Sequence, residues 1–469
     1  MPDWLQVYHH MPYPLRVLAA SAHGYRLRWW RYGPETEDLV AAALERERWP
    51  AERWRAWQEE RLAYILHRAA TRVPYYREQW AERRRRGDRA AWDLLANWPV
   101  LGKEPLRANP RAFLADGCDP RRMYRTHTSG TTGTPLTLWF SREAERAWYA
   151  LMEARWRGWH GVSRRDPWAI LGGQLVAPFA QARPPFWVWN AGLNQLYMSS
   201  YHLAPQHAPA YLEAMARYRV RYVWGYASSL YALARAVLER GLAVPALGVA
   251  ISNAEPLYDH QRHAIQRALA CPVHTTYGMG EQVCAASECR EGGLHLWPEA
   301  GLVEVLGDEG GQPLAAGKLG RLVATGLLNA DMPLVRYELG DHGALAPAGA
   351  SCPCGRTLPL LAAIEGRSDD LIVTPDGRRV GRLDPVFKAD LPIREAQIIQ
   401  ERLDRVRVRL VPAHGYTQED ARTVARRLRQ RLGDMEVVVE EVDAIPRSAN
   451  GKFRAVVSLV GQGERPVRR

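Results

Sequence analysis

Apolar side chains recur at helical spacing through residues 40–100, with charged residues between them. An apolar stripe with a period near 3.6 predicts helices that pack one face against a core. The stripe comprises Trp54, Trp57, Leu62, Ile65 and Leu66. The pattern offers no chemistry, so we interpret this region as helical packing.

From about residue 120 to 330 the pattern changes to short apolar runs that alternate with helical segments. Runs of β-branched and aromatic residues separated by helices predict crossover units and a parallel sheet. The predicted strands are 222–226, 246–252 and 273–277, and the predicted helices are 230–240 and 259–270. Polar motifs at the ends of such strands lie where open α/β sheets bind ligands.

The last hundred residues form a separate pattern. It predicts strands at 406–411, 435–442 and 453–460 and a helix at 417–432, with Thr417 as the N-terminal cap. This is the pattern of a small α+β lid.

One loop carries more chemical information than the periodicity. Residues 128–135 hold two glycines three residues apart, hydroxyl side chains and a closing proline. Such a loop is mobile and rich in donors, which suits a polyphosphate that must be wrapped and released. It is not a Walker loop, because Gly133 is not followed by lysine.

Further motifs follow this loop in order. They occupy residues 277–281, 336–341, 366–370 and 446–452. Together the five segments resemble the phosphate loop, adenine and magnesium motif, ribose motif, hinge and C-terminal lysine loop of the adenylate-forming superfamily, which includes acyl-CoA synthetases and luciferases. The order of the motifs, more than any single one, supports the resemblance.

Two other segments, 67–77 and 352–356, narrow the resemblance to the phenylacetate-CoA ligase group, and within it to CapK-type proteins of polysaccharide biosynthesis clusters. This resemblance implies an α/β fold with a large N-terminal adenylate-forming domain of mixed sheets and helices and a small mobile α+β lid. We place the helical part of the large domain at 1–120, its ATP- and acyl-binding part at 121–367 and the lid at 368–469.

The resemblance also assigns residues to ATP. Residues 128–133 would cradle the β- and γ-phosphates, Tyr277 would stack on adenine and Asp341 would accept hydrogen bonds from the ribose hydroxyls. The full set assigned to nucleotide binding is Thr128, Ser129, Gly130, Thr131, Thr132, Gly133, Tyr277, Gly278, Asp341 and Glu255.

The catalytic assignments are Glu281 as the Mg²⁺ ligand, Arg367 near the ribose and phosphates, and Lys452, with Asp369 as the hinge. Of the 63 basic residues only four are lysine. A lysine that persists in such a sequence needs a reason. For Lys452 we expect a chemical one, since its ammonium is a compact charge on a thin stem that can enter a closed site. A chance lysine in a polar turn is the alternative.

Three departures from the family pattern bear on activity. Thr134 stands where many relatives carry lysine or arginine, and Gly280 stands where threonine or serine is usual. The segment 373–380 replaces the usual continuation after the hinge, so adenylation is better supported than transfer to coenzyme A.

The cysteines suggest a metal. Cys352 and Cys354 form a Cys-x-Cys pair, and Cys289 with His295 supplies two further ligands of a tetrahedral structural zinc site, with Cys284 in reserve. Buried free thiols are the alternative, and the spacing does not decide between them.

Composition limits the remaining classes. The 469 residues are 47% apolar, enough for a large core plus a smaller one. No apolar segment of spanning length and no signal-peptide pattern are present, so we expect a cytoplasmic protein without integral membrane association. The net charge of +12 comes from scattered arginine without an RNA-binding signature, which argues against nucleic acid. The stretch 25–32 could touch a membrane face, although helix packing is the commoner role.

The leading hypothesis is an ATP-dependent, AMP-forming carboxylate ligase that uses ATP and Mg²⁺ and passes the acyl group to a thiol or amine acceptor. Coenzyme A and a carrier protein are both candidate acceptors, and a homodimer stays open. The alternatives are an aryl-CoA ligase such as a phenylacetate-CoA ligase, and a non-catalytic scaffold in a polysaccharide or secondary-metabolite assembly complex.

Overall fold

Helices form the first part of the chain, as its periodicity predicts. The computed structural model describes residues 4–128, 136–178, 180–308, 311–367, 372–375, 379–380, 383–387, 391–447 and 453–460. The helices are α1 Trp4–His10, α2 Tyr13–Arg31, α3 Thr36–Arg46, α4 Ala51–Arg72, α5 Pro74–Arg85, α6 Lys103–Ala108, α7 Arg142–Leu151, α8 Ala208–Arg217, α9 Ala227–Arg240, α10 Asp259–Leu269 and α11 Gln418–Leu432.

Strands follow from residue 124 onward. They are β1 Tyr124–His127, β2 Thr137–Phe140, β3 Trp168–Gly172, β4 Trp187–Asn190, β5 Gln195–Ser199, β6 Tyr222–Tyr226, β7 Val249–Asn253, β8 Val273–Gly278, β9 Ala285–Glu288, β10 Leu294–Leu296, β11 Gly301–Leu306, β12 Gly320–Gly326, β13 Tyr337–Leu345, β14 Leu361–Arg367, β15 Ile372–Val373, β16 Arg379–Val380, β17 Ile393–Arg402, β18 Arg405–Pro412, β19 Glu436–Glu441 and β20 Val456–Ser458.

A mixed sheet of eight strands is the largest in the described part of the chain, with the order β10-β9-β8-β7-β6-β3-β5-β4. Its centre, from β5 through β3, β6 and β7 to β8, is parallel, and the outer pairs are antiparallel. Helices α8, α9 and α10 cover one face with a continuous apolar core. The predicted α/β fold class is therefore confirmed.

The other face of this sheet packs against tryptophan. One turn of π-helix, Met152–Arg157, follows α7 and places Trp156 edge-on to Trp224 at a ring separation of 4.8 Å. Trp297 packs against Trp156 at 5.3 Å. A single wide turn of this kind inside a helix re-aims the side chains that follow it.

A second, antiparallel sheet, β11-β12-β13-β14, packs with the N-terminal helices. Of the predicted stripe, Trp54, Ile65 and Leu66 are buried. The helical prediction was too long, because α5 ends at Arg85 and residues 86–100 hold only turns and a short 3-10 segment. The arginines at 83–86 end the apolar stripe.

The C-terminal part forms its own sheet, β19-β18-β17-β20, around α11. Thr417 caps α11 as predicted, since its side chain and that of Asp420 bond reciprocally across the first turn. Strand β17 was not predicted, and β20 is shorter than the predicted strand at 453–460.

Candidate active site

The parallel strands β6, β7 and β8 end at one large cavity of about 1650 Å³. Its wall includes Thr128, Tyr277 and Asp341, which the sequence assigned to the nucleotide, and Glu281, which it assigned to Mg²⁺. Phe453 from the C-terminal part also lines it. Ligand pockets are usually about 300–1,000 Å³. The cavity therefore has room for more than one small ligand.

Tyr277 is held in place by Asp341. The hydroxyl of Tyr277, at the end of β8, donates to Oδ2 of Asp341 on β13 at 2.7 Å. Burial, and secondarily the Asp341 carboxylate, raise the pKa of Tyr277 well above its ordinary value. Tyr277 therefore stays protonated as a donor. The residue predicted to bind adenine is thus hydrogen-bonded directly to the residue predicted to bind ribose.

Glu281 is oriented by a residue that sequence reasoning missed. The hydroxyl of Tyr337, which is fully buried, donates to Oε1 of Glu281 at 2.8 Å. Glu281 is partly buried and lines the cavity. A carboxylate fixed in this way offers the hard oxygen that Mg²⁺ prefers. The residue type and position therefore fit the predicted metal.

Thr128 closes the base of the predicted phosphate loop. Its backbone N–H donates to the carbonyl of Leu136 at 3.0 Å, and its hydroxyl accepts from the Leu136 N–H at 3.2 Å. An added Cβ at Gly280 would lie 3.2 Å from the Thr128 side chain, so the glycine allows this close approach. The candidates Ser129, Gly130, Thr131, Thr132 and Gly133 lie outside the described residues.

Glu255 joins two parts of the chain. Its Oε2 accepts from the backbone N–H of Ser228 in the first turn of α9 at 2.9 Å, and its Oε1 accepts from the N–H of Phe453 at 2.7 Å. Burial raises the pKa of the Glu255 carboxyl, while these hydrogen bonds oppose that rise. The carboxylate thus ties the C-terminal part to the cavity wall.

The remaining candidates are Arg367, Lys452 and Asp369. Arg367 pairs with Asp341 in the register of β13 and β14, so its backbone adjoins the ribose candidate. Lys452 and Asp369 lie outside the described residues, and Phe453 is the first described residue after Lys452.

The segments 225–229 and 251–256 lie at the ends of β6 and β7. An added Cβ at Gly225 would be 2.8 Å from the carbonyl of Leu171, so only glycine fits. The Asn253 amide, oriented so that both its groups are paired, donates to the carbonyl of Gly225 at 3.0 Å and accepts from Nε1 of Trp224 at 3.1 Å. Neighbouring cavity walls are aromatic, with Trp156, Tyr197 and Trp224.

The four predicted zinc ligands come together. The donor atoms of Cys289, His295, Cys352 and Cys354 all lie within 4.8 Å of one another. The Cys289 and Cys352 sulfurs are 3.5 Å apart, and Cys354 Sγ is 3.3 Å from His295 Nε2. Tetrahedral zinc with bonds of about 2.0–2.3 Å needs donor separations of roughly 3.5–3.8 Å. The arrangement therefore fits a four-ligand site, in which the reserve ligand Cys284 has no part.

The other ring nitrogen of His295 is also paired. His295 Nδ1 lies 3.2 Å from the carbonyl of Leu358. A backbone carbonyl on Nδ1 fixes the tautomer that leaves Nε2 free as a ligand. This contact supports the same interpretation of the cluster.

Comparison with known proteins shows what this chain is similar to. Residues 372–459 match the CapK C-terminal domain. The chain is 23% identical over 379 residues to Protein CapK of Staphylococcus aureus, covering 77% of this chain and 80% of that protein. It is 27% identical over 481 aligned positions to a phenylacetate-coenzyme A ligase of Thermus thermophilus, and the alignment covers 91% of this chain and 99% of that protein. The chain is a homologue of Protein CapK and of the phenylacetate-coenzyme A ligases. The predicted resemblance is confirmed.

Solved structures agree on the fold. A 2-hydroxyisobutyryl-CoA ligase in the postadenylation state has a TM-score of 0.68 at 21% identity, over 88% of this chain and 91% of that one. The same ligase in its thioesterification state has a TM-score of 0.54 at 20% identity, also over 88% and 91%. These neighbours share the arrangement of a large N-terminal domain and a smaller C-terminal one.

Lys103 is a cavity residue that the sequence did not single out. It begins α6, and its Nζ donates to the carbonyl of Leu339 at 3.3 Å. Gly340 has φ of +82°, and an added Cβ there would be 3.1 Å from Nζ. The lysine thus lies against residues 339–340, which precede Asp341 in β13. Its rarity was the available signal, since it is one of four lysines.

Glu145 is a second missed residue. It is 1% exposed, and its Oε1 accepts from Nε2 of Gln282 at 3.3 Å. Burial raises the pKa of this carboxyl to about 7. Gln282 follows Glu281 and has a φ of +56°, a left-handed conformation that costs energy in a non-glycine residue. Glu145 therefore supports the backbone that carries the magnesium candidate.

Among the described helices, none combines the length and apolar character needed to cross a bilayer.

Proposed function

We propose that the protein activates a carboxylic acid with ATP, forming an acyl-adenylate and pyrophosphate, and then passes the acyl group to an acceptor. One observation carries the proposal: Tyr277, Asp341 and Glu281 line one cavity at the ends of the parallel strands, with Tyr277 bonded to Asp341 and Glu281 held by the buried Tyr337. The relatives named as phenylacetate-coenzyme A ligases support it.

The chain's own groups suit this reaction because it needs charge placement and no protein nucleophile. Asp341 accepts from the ribose hydroxyls, and the ring of Tyr277 faces adenine. Glu281 holds Mg²⁺, which when bound offsets the charge of the triphosphate. Lys103, which donates to the carbonyl of Leu339, adds a positive charge to the same wall.

The loop 128–133 provides phosphate donors in this proposal, and Arg367 and Lys452 stabilise charge on the reacting oxygens. Asp369 serves as the hinge between the large domain, 1–367, and the lid, 368–469. The bond between Glu255 and Phe453 supports delivery of Lys452 to the cavity, because Phe453 is its neighbour in sequence.

The first acceptor to test is a thiol. Coenzyme A is the thiol to choose, because two relatives are named as coenzyme A ligases. A carrier-protein thiol and an amine are the competing acceptors. The aromatic walls Trp156, Tyr197 and Trp224 favour an acid with a ring or another flat apolar group. This is the observation that favours an aryl-CoA ligase.

A panel of acids incubated with ATP and Mg²⁺ tests the proposal through pyrophosphate release. We expect AMP and pyrophosphate for at least one acid, and an acyl-thioester when coenzyme A is added. ADP with an acyl-phosphate would contradict adenylation. Acyl-hydroxamate formed with hydroxylamine but no thioester with coenzyme A would retain adenylation and exclude that thiol.

We also propose that Cys289, His295, Cys352 and Cys354 hold a structural Zn²⁺. The donor separations and the partner of His295 Nδ1 support the assignment. Four protein ligands leave no open position, so such a zinc stabilises the fold and takes no part in the reaction.

A further inference from the structure

Helix α2 carries an apolar stripe that the rest of the described chain leaves uncovered. Leu15, Leu18, Tyr25 and Trp29 are 49%, 64%, 56% and 50% exposed, and Ala22 between them is exposed as well. Their spacing of three and four residues places them on one face of the helix. Scattered exposed apolar residues need no explanation, but a continuous stripe does.

The stripe is held rigidly. On the opposite side of α2, an added Cβ at Gly24 would clash with Asn190, and one at Gly192 would lie 2.2 Å from the backbone N of Tyr25. The backbone of the helix therefore lies directly against residues 190–192, next to edge strand β4. Ser21 Oγ accepts from the N–H of Ala191 at 3.1 Å. The stripe faces outward because the other side is packed.

The charged residues of α2 itself are all basic. No aspartate or glutamate occurs between residues 4 and 34, while Arg26 and Arg28 are exposed on α2. A third guanidinium, that of Arg142, lies 3.4 Å above the ring of Trp29. A second copy of α2 would bring arginine against arginine without the acidic partners that helix pairs use. The complementary surface is anionic.

We propose that α2 docks in the plane of an anionic membrane surface. The stripe from Leu15 to Trp29 spans about 21 Å of helix, with tyrosine and tryptophan at one end and arginine beside them. This is the composition of helices that lie in the headgroup region, where aromatic rings and leucines enter the interface and arginines pair with phosphates.

The docked helix also lines the cavity. Ala19, Ala20, His23 and Leu27 of α2 belong to the cavity wall. A helix is about 10 Å across, so docking brings the cavity within roughly that distance of the lipid headgroups. The proposal is independent of which acid and acceptor react there.

Co-sedimentation with vesicles tests the docking. The probes are phosphatidylcholine vesicles with and without about one third phosphatidylglycerol, at low and at physiological salt. We expect binding to the anionic vesicles that weakens with salt, and a loss of about tenfold or more in the partition coefficient for Leu18→Glu. Arg26→Gln should lower the same partition coefficient several-fold. Leu94→Glu is the matched control, because Leu94 is 59% exposed elsewhere.

Unchanged thermal unfolding of Leu18→Glu shows that any loss of binding is local. Equal binding by wild type, Leu18→Glu and Leu94→Glu would overturn the proposal, as would no binding at millimolar anionic lipid. A dimer in solution that Leu18→Glu converts to monomer would instead assign the stripe to a second copy. Binding to acidic protein but to neither vesicle would assign it to a protein partner.

Discussion

The backbone N–H of Phe453 donates a 2.7 Å hydrogen bond to Oε1 of Glu255. The other carboxylate oxygen accepts from the N–H of Ser228 in the first turn of α9. One side chain therefore bridges the C-terminal part and the wall of the cavity. Because Phe453 follows Lys452, the bridge sits next to the proposed catalytic lysine.

Glu255→Ala should remove both hydrogen bonds and loosen the C-terminal part at the cavity. Hydrogen bonds to a charged group contribute about 1.5–3 kcal/mol, so we expect adenylation to fall about tenfold or more. Hydrogen exchange of the 453–456 amides should rise. Glu255→Gln keeps one accepting oxygen, so its adenylation rate and its hydrogen exchange should lie between those of wild type and Glu255→Ala.

Glu239→Ala, which removes an exposed carboxylate of α9, is the control and should leave both measurements unchanged. Wild-type exchange at 453–456 in Glu255→Ala would show that the bond does not hold the C-terminal part.

Lys452→Ala should lower the adenylation rate by about a hundredfold or more, as expected when one preorganised charge is removed from a reacting site. Lys452→Arg should not restore it, because a guanidinium keeps the charge but not the reach. A pre-formed acyl-adenylate should still react with the acceptor in Lys452→Ala.

Lys318→Ala serves as the control, since Lys318 is an exposed lysine of the same chain. Near-normal adenylation by Lys452→Arg would mean that charge alone suffices, and loss of both half-reactions would indicate a misfolded lid.

Regular alternation made much of the fold predictable. The strand at 222–226 matches β6, and the helix at 259–270 matches α10 within one residue. Strand β17 was missed because it lies inside its sheet yet carries polar side chains on both faces. Its Gln400 is fully buried and donates to the carbonyl of Val373 at 2.6 Å, and Gln397 donates to that of Arg454 at 2.8 Å. Because these buried polar side chains are paired with residues distant in sequence, the strand lacks the alternation of apolar and polar residues that would reveal it.

The candidate site, like the fold, could be predicted only in part. Tyr277, Glu281 and Asp341 could be identified because their motifs follow a recognisable order. Tyr337 and Glu145 could not, since each acts through a residue far away in sequence. The Tyr337–Glu281 pair spans 56 residues and the Glu145–Gln282 pair spans 137. Spacing along the chain carries no signal for such contacts.

Glu145→Gln should change how stability depends on pH. Burial raises the pKa of this carboxyl from 4.5 to about 7, so between these values the folded protein holds a proton that the unfolded chain releases. The free energy of unfolding therefore falls as pH rises through this window and is lowest above pH 7. Glutamine carries no charge and escapes this loss.

From pH 4.5 to pH 8 the free energy of unfolding of Glu145→Gln should rise relative to that of wild type by up to about 3 kcal/mol. Urea unfolding at both pH values measures this. Glu143→Gln, an exposed position on the same helix, should show no such dependence. A pH-independent effect of Glu145→Gln would mean that the carboxyl has the same pKa in the folded protein as in the unfolded chain.

The last prediction concerns zinc. Protein purified without added metal should contain about one equivalent, because four donors lie within 4.8 Å of one another. Cys352→Ser should lose the metal and unfold at lower temperature, since the binding free energy of a structural zinc contributes directly to folding. Cys271→Ser is the control: Cys271 is buried but outside the cluster, so it measures the cost of the substitution alone. Added zinc should raise the unfolding temperature of metal-stripped wild type but not of Cys352→Ser. Metal-free wild type with the same unfolding temperature as zinc-loaded protein would leave these four side chains with no metal role.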